Sequence, residues 1–169
     1  MNKRHAVTLT FVLVTLASMS TAFAANLPGA DKTPAKQLKI TRQDERDTRT
    51  DLSQYFTGSA LVNPLFSAED DSNATAAQVA FDPGARTNWH IHPVGQQLIV
   101  THGVGRVQIE GQPVRTIHSG DVVWIPAGTN HWHGADRDHS MTHIAIQERR
   151  DGENVEWGDA VSDAQYTAE

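Results

Sequence analysis

The sequence contains no cysteine. That excludes disulfides, thiolate metal ligands and a cysteine nucleophile, although an exported chain could have used the first of these. A basic excess is also missing: 14 Lys and Arg stand against 20 Asp and Glu, a formal charge of −6. This argues against a nucleic-acid partner, because backbone phosphates need a concentrated basic surface. No segment has the length and 3.6-residue apolar spacing of a long helix, and no internal repeat stands out. The one sustained apolar run, AVTLTFVLVTLA over residues 6–17, is too short and too broken by threonine to cross a hydrocarbon core of about 30 Å as a helix.

That run has the marks of a leader. Lys3, Arg4 and His5 precede it, and Ala22-Phe23-Ala24 closes the segment, the pattern of a secretory signal peptide cut after Ala24. Removing residues 1–24 leaves 145 residues and a charge of −8, since Lys3 and Arg4 depart and no acid does. The expected location is a bacterial periplasm, with full secretion as the alternative and no membrane contact after cleavage.

What remains is one ordinary domain in length. Residues 25–50 are polar, contain Pro28, Gly29 and Pro34, and are dense in both signs of charge at TRQDERDTRTD. They read as an N-terminal arm. The first compact apolar groups, YFTG and LVNPLF over residues 55–66, read as cover for a sheet edge. From Thr75 onward, short β-branched runs alternate with turn signals: TAAQVAF, QQLIVT, GRVQIE, VRTIH, DVVWIPA and MTHIAIQ, broken by DPGA, HGVG, EGQP, HSG, PAGTN and GADRDH. Such a pattern predicts an all-β antiparallel barrel or sandwich. The polar tail over residues 149–169 is expected to hold a short helix or a covering strand with Trp157 and Tyr166. Trp89, Trp124 and Trp132 are read as barrel packing.

Nine histidines is many for this length. His90 and His92 alternate on an extended chain and so share a face. Gln96 returns to that face if the bend at Pro93-Val94-Gly95 preserves parity, and His131 follows a second glycine-rich turn. Imidazole nitrogen suits first-row divalent metals, with iron, zinc, nickel and cobalt all candidates. Three histidines and an amide oxygen would make one side of a coordination sphere. His143 and Gln147 share a face of MTHIAIQ with Met141 and Ala145, and buried polar groups there would need partners. Ala77, Val79 and Phe81 share a face that would serve as an apolar wall. His133 has the parity of His131 and is placed either as a base near the site or at the barrel mouth. His102 and His139 are expected at the surface, and His118 lies before a turn.

The strings GARTNWHIHPVGQQLIVTHG over 84–103 and GDVVWIPAGTNHWH over 120–133 resemble the two motifs of the cupin superfamily. Gly84, His90, His92 and Gly103 occupy the places of the first, and Gly120, Pro126, Gly128 and His131 those of the second. The resemblance implies a double-stranded β-helix (cupin, or jelly-roll) barrel over residues 51–169, with the motif-bearing core at 75–147. Where that family usually has glutamate, this chain has Gln96 and Gln97. The three-residue gap after His92 favours Gln96, and strand parity turns Gln97 outward.

FDPGARTNWHIHPVGQQLIV, GDVVWIPAGTNHWHGA and MTHIAIQE are similar to the small manganese-dependent hydroxynitrile lyase cupins, in which glutamine replaces the usual glutamate ligand. That resemblance implies manganese held by His90, His92, Gln96 and His131, and His143 and Gln147 beside it as catalytic polar groups. It also implies a small-molecule substrate such as mandelonitrile and a homo-oligomer, with the front segment as an exchanged edge. An oxygen-dependent dioxygenase and a non-catalytic small-molecule binder fit the same donors and stand as alternatives.

Overall fold

Alternation of side chains along short strands explains the architecture. In MTHIAIQE, Met141, His143 and Ala145 are buried while Thr142, Ile144 and Ile146 are only half covered, the period of a strand with one face on the core. The computed structural model describes residues 37–69 and 71–168, so the expected leader and residues 25–36 of the arm expected over 25–50 lie outside the described residues. The chain divides into units 1–38 and 39–169, and all elements below belong to the second. The strands are β1 (Phe56–Thr57), β2 (Ala60–Phe66), β3 (Ala74–Phe81), β4 (Arg86–Thr87), β5 (His90–Ile91), β6 (Gln96–Ile109), β7 (Arg115–His118), β8 (Val122–Ile125), β9 (His131–Ala135), β10 (Met141–Glu148) and β11 (Glu156–Trp157), followed by a one-turn helix α1 (Asp163–Tyr166). Among the described residues no helix is long and apolar enough to cross a membrane.

All pairings are antiparallel. One wall runs β2-β3-β10-β6-β8 and the other β1-β4-β9-β6-β7, with β5 paired to β9 and β11 to β5. The result is the all-β double-stranded β-helix barrel that the resemblance implied. Strand β6 belongs to both walls. Its first half pairs with β8 and β10, and its second half with β7 and β9. HGVG, expected as a turn between two strands, is therefore strand throughout.

The change of wall has a local cause. Val100 faces His143 and His102 faces Thr142, so Thr101 is an extra residue opposite one partner gap, a β-bulge. Inward residues are even-numbered before it (Gln96, Leu98, Val100) and odd-numbered after it (Gly105, Val107). Gly103 then takes a φ of 79°, and a Cβ there would overlap the Ser140 carbonyl oxygen.

Between the walls lies a core of Phe81, Leu98, Val100, Ile125, Ala135 and Met141, with Phe56 closing one edge. A second cluster forms on the outside of β9, where Trp132 and Trp89 pack with Val161 and Tyr166. The tail supplies both expected devices, strand β11 and helix α1. Tyr166 Oη–H donates to the Ala135 carbonyl at 2.8 Å, and Arg86 lies 4.6 Å from the Tyr166 ring centroid while bonding the Val161 carbonyl and Asp163. Trp124 departs from expectation: it and Val122 are 57% and 66% exposed. β8 is apolar on both faces, so composition gave no sign of which parity turns inward.

Gly103→Ala should therefore cost about 3 kcal/mol of folding stability, the combined result of a left-handed backbone and a carbonyl in the way. A denaturant-midpoint comparison with wild type tests this, and a shift smaller than about 1 kcal/mol would contradict the role given to Gly103.

Candidate metal centre

Four strand ends bring the candidate ligands together. His90 on β5 sits directly opposite His131 at the start of β9. His92 follows β5, and Gln96 opens β6. His90, His92 and His131 each offer a nitrogen, and these atoms lie within 4.8 Å of one another. All three side chains are buried, as is Gln96, whereas Gln97 is exposed.

The backbone sets which nitrogen each ring offers. His90 Nδ1–H donates to the Asn88 carbonyl at 3.0 Å, His131 Nδ1–H to the Thr129 carbonyl at 2.9 Å, and His92 Nδ1–H to the Asn154 carbonyl. With Nδ1 carrying the proton, each Nε2 keeps its lone pair and faces the common centre. His92 Nε2 is buried with no hydrogen-bond partner. Gln96 Oε1 lies 3.1 Å from His131 Nε2, so in this tautomer two acceptors point at one spot. Buried acceptors converging without a donor are what a cation requires of its ligands. The donor set therefore fits a divalent metal, with nitrogen and neutral oxygen ligands.

Gln96 is oriented by a chain of amides. Its Nε2–H donates to Gln147 Oε1 at 3.3 Å, and Gln147 Nε2–H donates to Thr75 Oγ1 at 3.0 Å. Thr75 Oγ1–H donates in turn to the Gln147 carbonyl at 3.1 Å, and Asn154 Nδ2–H donates to Thr75 Oγ1 at 3.2 Å. This network engages the Gln96 amide N–H on the far side and leaves its oxygen for the centre. Asn154 serves twice, holding His92 through its carbonyl and Thr75 through its side chain. Thr75 and Asn154 were missed in the sequence because neither residue type marks a ligand and they lie 79 positions apart.

Burial governs the ionisation of the cluster. Desolvation pushes His131 down to about 4 and His143 to about 3. It is also the main reason His90, His92 and His133 titrate below the ordinary imidazole range, with neighbouring histidines lowering His90 and His133 further. All five rings are neutral at pH 7, the form in which nitrogen binds a metal or accepts a proton.

A cavity of about 280 Å³ opens beside the cluster, at the small end of ligand pockets. Ala77, Val79 and Ala145 form one wall, and Tyr55, Phe56 and Trp157 another, with His90, His92, Gln96, His133 and Gln147 at its polar side. Phe81, expected on the apolar wall, is instead one layer back. Its ring centroid stands 5.6 Å from that of His143 and 6.0 Å from that of His133, because the barrel narrows there into packed core. His143 is likewise fully buried behind the lining, with Nε2 3.1 Å from His133 Nδ1. His133 is thus the nearer of the pair. Trp157, 4.9 Å from the His90 ring and stacked on Tyr55 at 4.8 Å, is the lining residue whose only sequence signal was an aromatic in a polar tail. His102, His118 and His139 are exposed.

A barrel of two interlocked antiparallel walls with three histidines converging at one end defines a metal-binding cupin. Residues 77–146 match the Cupin domain family model, and the chain belongs to the cupin superfamily. It is 49% identical over 129 residues to the (R)-mandelonitrile lyase of Granulicella tundricola, an overlap that takes in 76% of this chain and 98% of that protein. Among solved structures, a cupin-like protein from Thermotoga maritima superposes with a TM-score of 0.65 at 41% identity, covering 69% of this chain and 89% of that one. A cupin-2 domain protein from Rhodospirillum rubrum, at 18% identity, shares the fold with a TM-score of 0.58 over 76% of this chain and 83% of its own.

Thr75→Val should weaken metal affinity about tenfold by releasing the Gln147 and Gln96 amides, whereas Gln96→Glu should tighten it by supplying a charge; competition against a calibrated chelator reads both. Unfolded imidazoles titrate near 6.5 and the buried ones lower, His131 at about 4 and His143 at about 3. Below pH 6.5 the unfolded chain therefore binds protons that the folded chain refuses. Stability of the metal-free protein should be full above pH 6.5 and fall as pH drops toward 4, which urea midpoints at pH 8 and pH 5 would show.

Proposed function

We propose that this protein is a metal-dependent hydroxynitrile lyase that cleaves or forms aromatic cyanohydrins such as mandelonitrile. The observation that carries the reading is the 49% identity to a mandelonitrile lyase across 98% of that protein's length. The site supports it chemically: neutral nitrogen and amide-oxygen donors border a small cavity with aromatic and aliphatic walls. We further propose His90, His92, Gln96 and His131 as the ligands and manganese as the metal, which would act as a Lewis acid on the substrate hydroxyl.

The remaining groups handle the proton and the ring. Ala77, Val79 and Trp157 hold the aromatic ring and exclude water. His133 Nε2 is buried without a partner at the cavity wall, and it takes the hydroxyl proton as the carbon–cyanide bond breaks to leave the aldehyde. His143 keeps His133 in place through the 3.1 Å contact, and the proton is returned to cyanide, which departs as hydrogen cyanide. Gln147 borders the leaving group while fixing Gln96. The leader pattern supports action in the periplasm, and the family resemblance supports a homo-oligomer; cell fractionation and light scattering address these.

His143→Ala and His133→Ala should each retain metal and lose about a hundredfold or more in mandelonitrile cleavage. Chelation should abolish activity, and manganese should restore it with no oxygen uptake. Full activity in both variants would remove the histidine pair from the reaction, and oxygen consumption coupled to turnover would replace the lyase with an oxygenase.

A further inference from the structure

Among the described residues that line the metal-site cavity, Arg49 is the one charged side chain, the histidines there being neutral. Its place is set by the backbone. Arg49 N–H donates to the Val62 carbonyl at 2.8 Å, and Val62 N–H donates to the Arg49 carbonyl at 3.0 Å. Residues paired in this way carry their side chains on the same face. Val62 faces Val79, and Val79 faces His143. A single row of side chains thus crosses the wall from Arg49 at the rim, through two valines, to the buried histidine. Three strand spacings separate the ends of that row, about 14 Å measured along the sheet. Among the described residues no carboxylate pairs with Arg49, and its guanidinium makes no hydrogen bond.

We propose that Arg49 is a specificity-determining residue, and that the cavity takes an anionic substrate: a ring or short alkyl body bearing a carboxylate opposite its reacting hydroxyl or carbonyl. The polar end meets the histidine cluster, the body lies on Val62, Val79 and Ala77, and the carboxylate meets the guanidinium, whose planar fork matches it. A chain with a formal charge of −6 gains most from a local cation at this mouth, because the rest of its surface repels such a ligand. The identity of the reacting group rests on the lyase reading above, while the preference for an anion does not.

Calorimetric titration of the processed full chain, with its metal, tests the proposal using 4-formylbenzoate and its neutral analogue 4-formylbenzamide. Wild type should bind the carboxylate about tenfold more tightly than the amide, and added salt should reduce that ratio. Arg49→Gln should bring the ratio close to one, and Arg49→Lys should restore part of it. No carboxylate preference in wild type, or a preference that survives Arg49→Gln, overturns the assignment. Cyanohydrin turnover is measured on the same preparations. A carboxylate preference without turnover keeps Arg49 as an anion selector and removes the lyase reading; turnover without the preference does the reverse.

Discussion

The site depends on strand β6 passing from one wall of the barrel to the other. Because Thr101 is an extra residue and Gly103 admits a left-handed backbone, one strand pairs with β8 and β10 at its start and with β7 and β9 at its end. Its first residue, Gln96, is thereby set beside Gln147, and its last, Ile109, beside His131. Two candidate ligands 35 positions apart meet because a single strand holds both walls in register. The approach of Gln96 to His131 inherits its precision from that shared strand, while pairing of β5 with β9 sets His90 against His131.

On this scaffold, backbone carbonyls decide the chemistry of the rings. Each of the three clustered histidines gives its Nδ1 proton to a main-chain oxygen, and burial keeps the rings neutral. A metal held by three neutral imidazoles and a neutral amide would keep its full charge, where a carboxylate would cancel part of it. That makes it a stronger electrophile and a less tightly held ion. The hydrogen-bonded amides of Gln147 and Asn154 and the Thr75 hydroxyl between them offset the weaker grip by fixing the Gln96 oxygen in place. Gln147 thus serves both the orientation of Gln96 and the wall of the cavity.

Much of this was legible in the residues. The alternation of short β-branched runs pointed to an antiparallel barrel. The spacing of His90, His92 and Gln96, with His131 after its own glycine turn, marked the cluster, and parity separated Gln96 from Gln97. HGVG was misleading, since a glycine pair within a polar stretch reads as a turn, and only pairing on both sides shows a bulged strand. Trp124 misled for a related reason: a strand apolar on both faces has no parity signal. Phe81 and His143 were given the right face but the wrong depth, because alternation fixes direction and says nothing about how far a barrel narrows.

Local periodicity, spacing and composition sufficed for the all-β class, most of the strands, the candidate ligands and the absence of thiol chemistry. The folded arrangement was needed to show that Thr75 and Asn154 support Gln96, that His133 stands between His143 and the cavity, and that Arg49 faces the same space. Those relations join residues tens of positions apart through cross-strand pairing and shared hydrogen bonds, and one-dimensional spacing does not record such contacts.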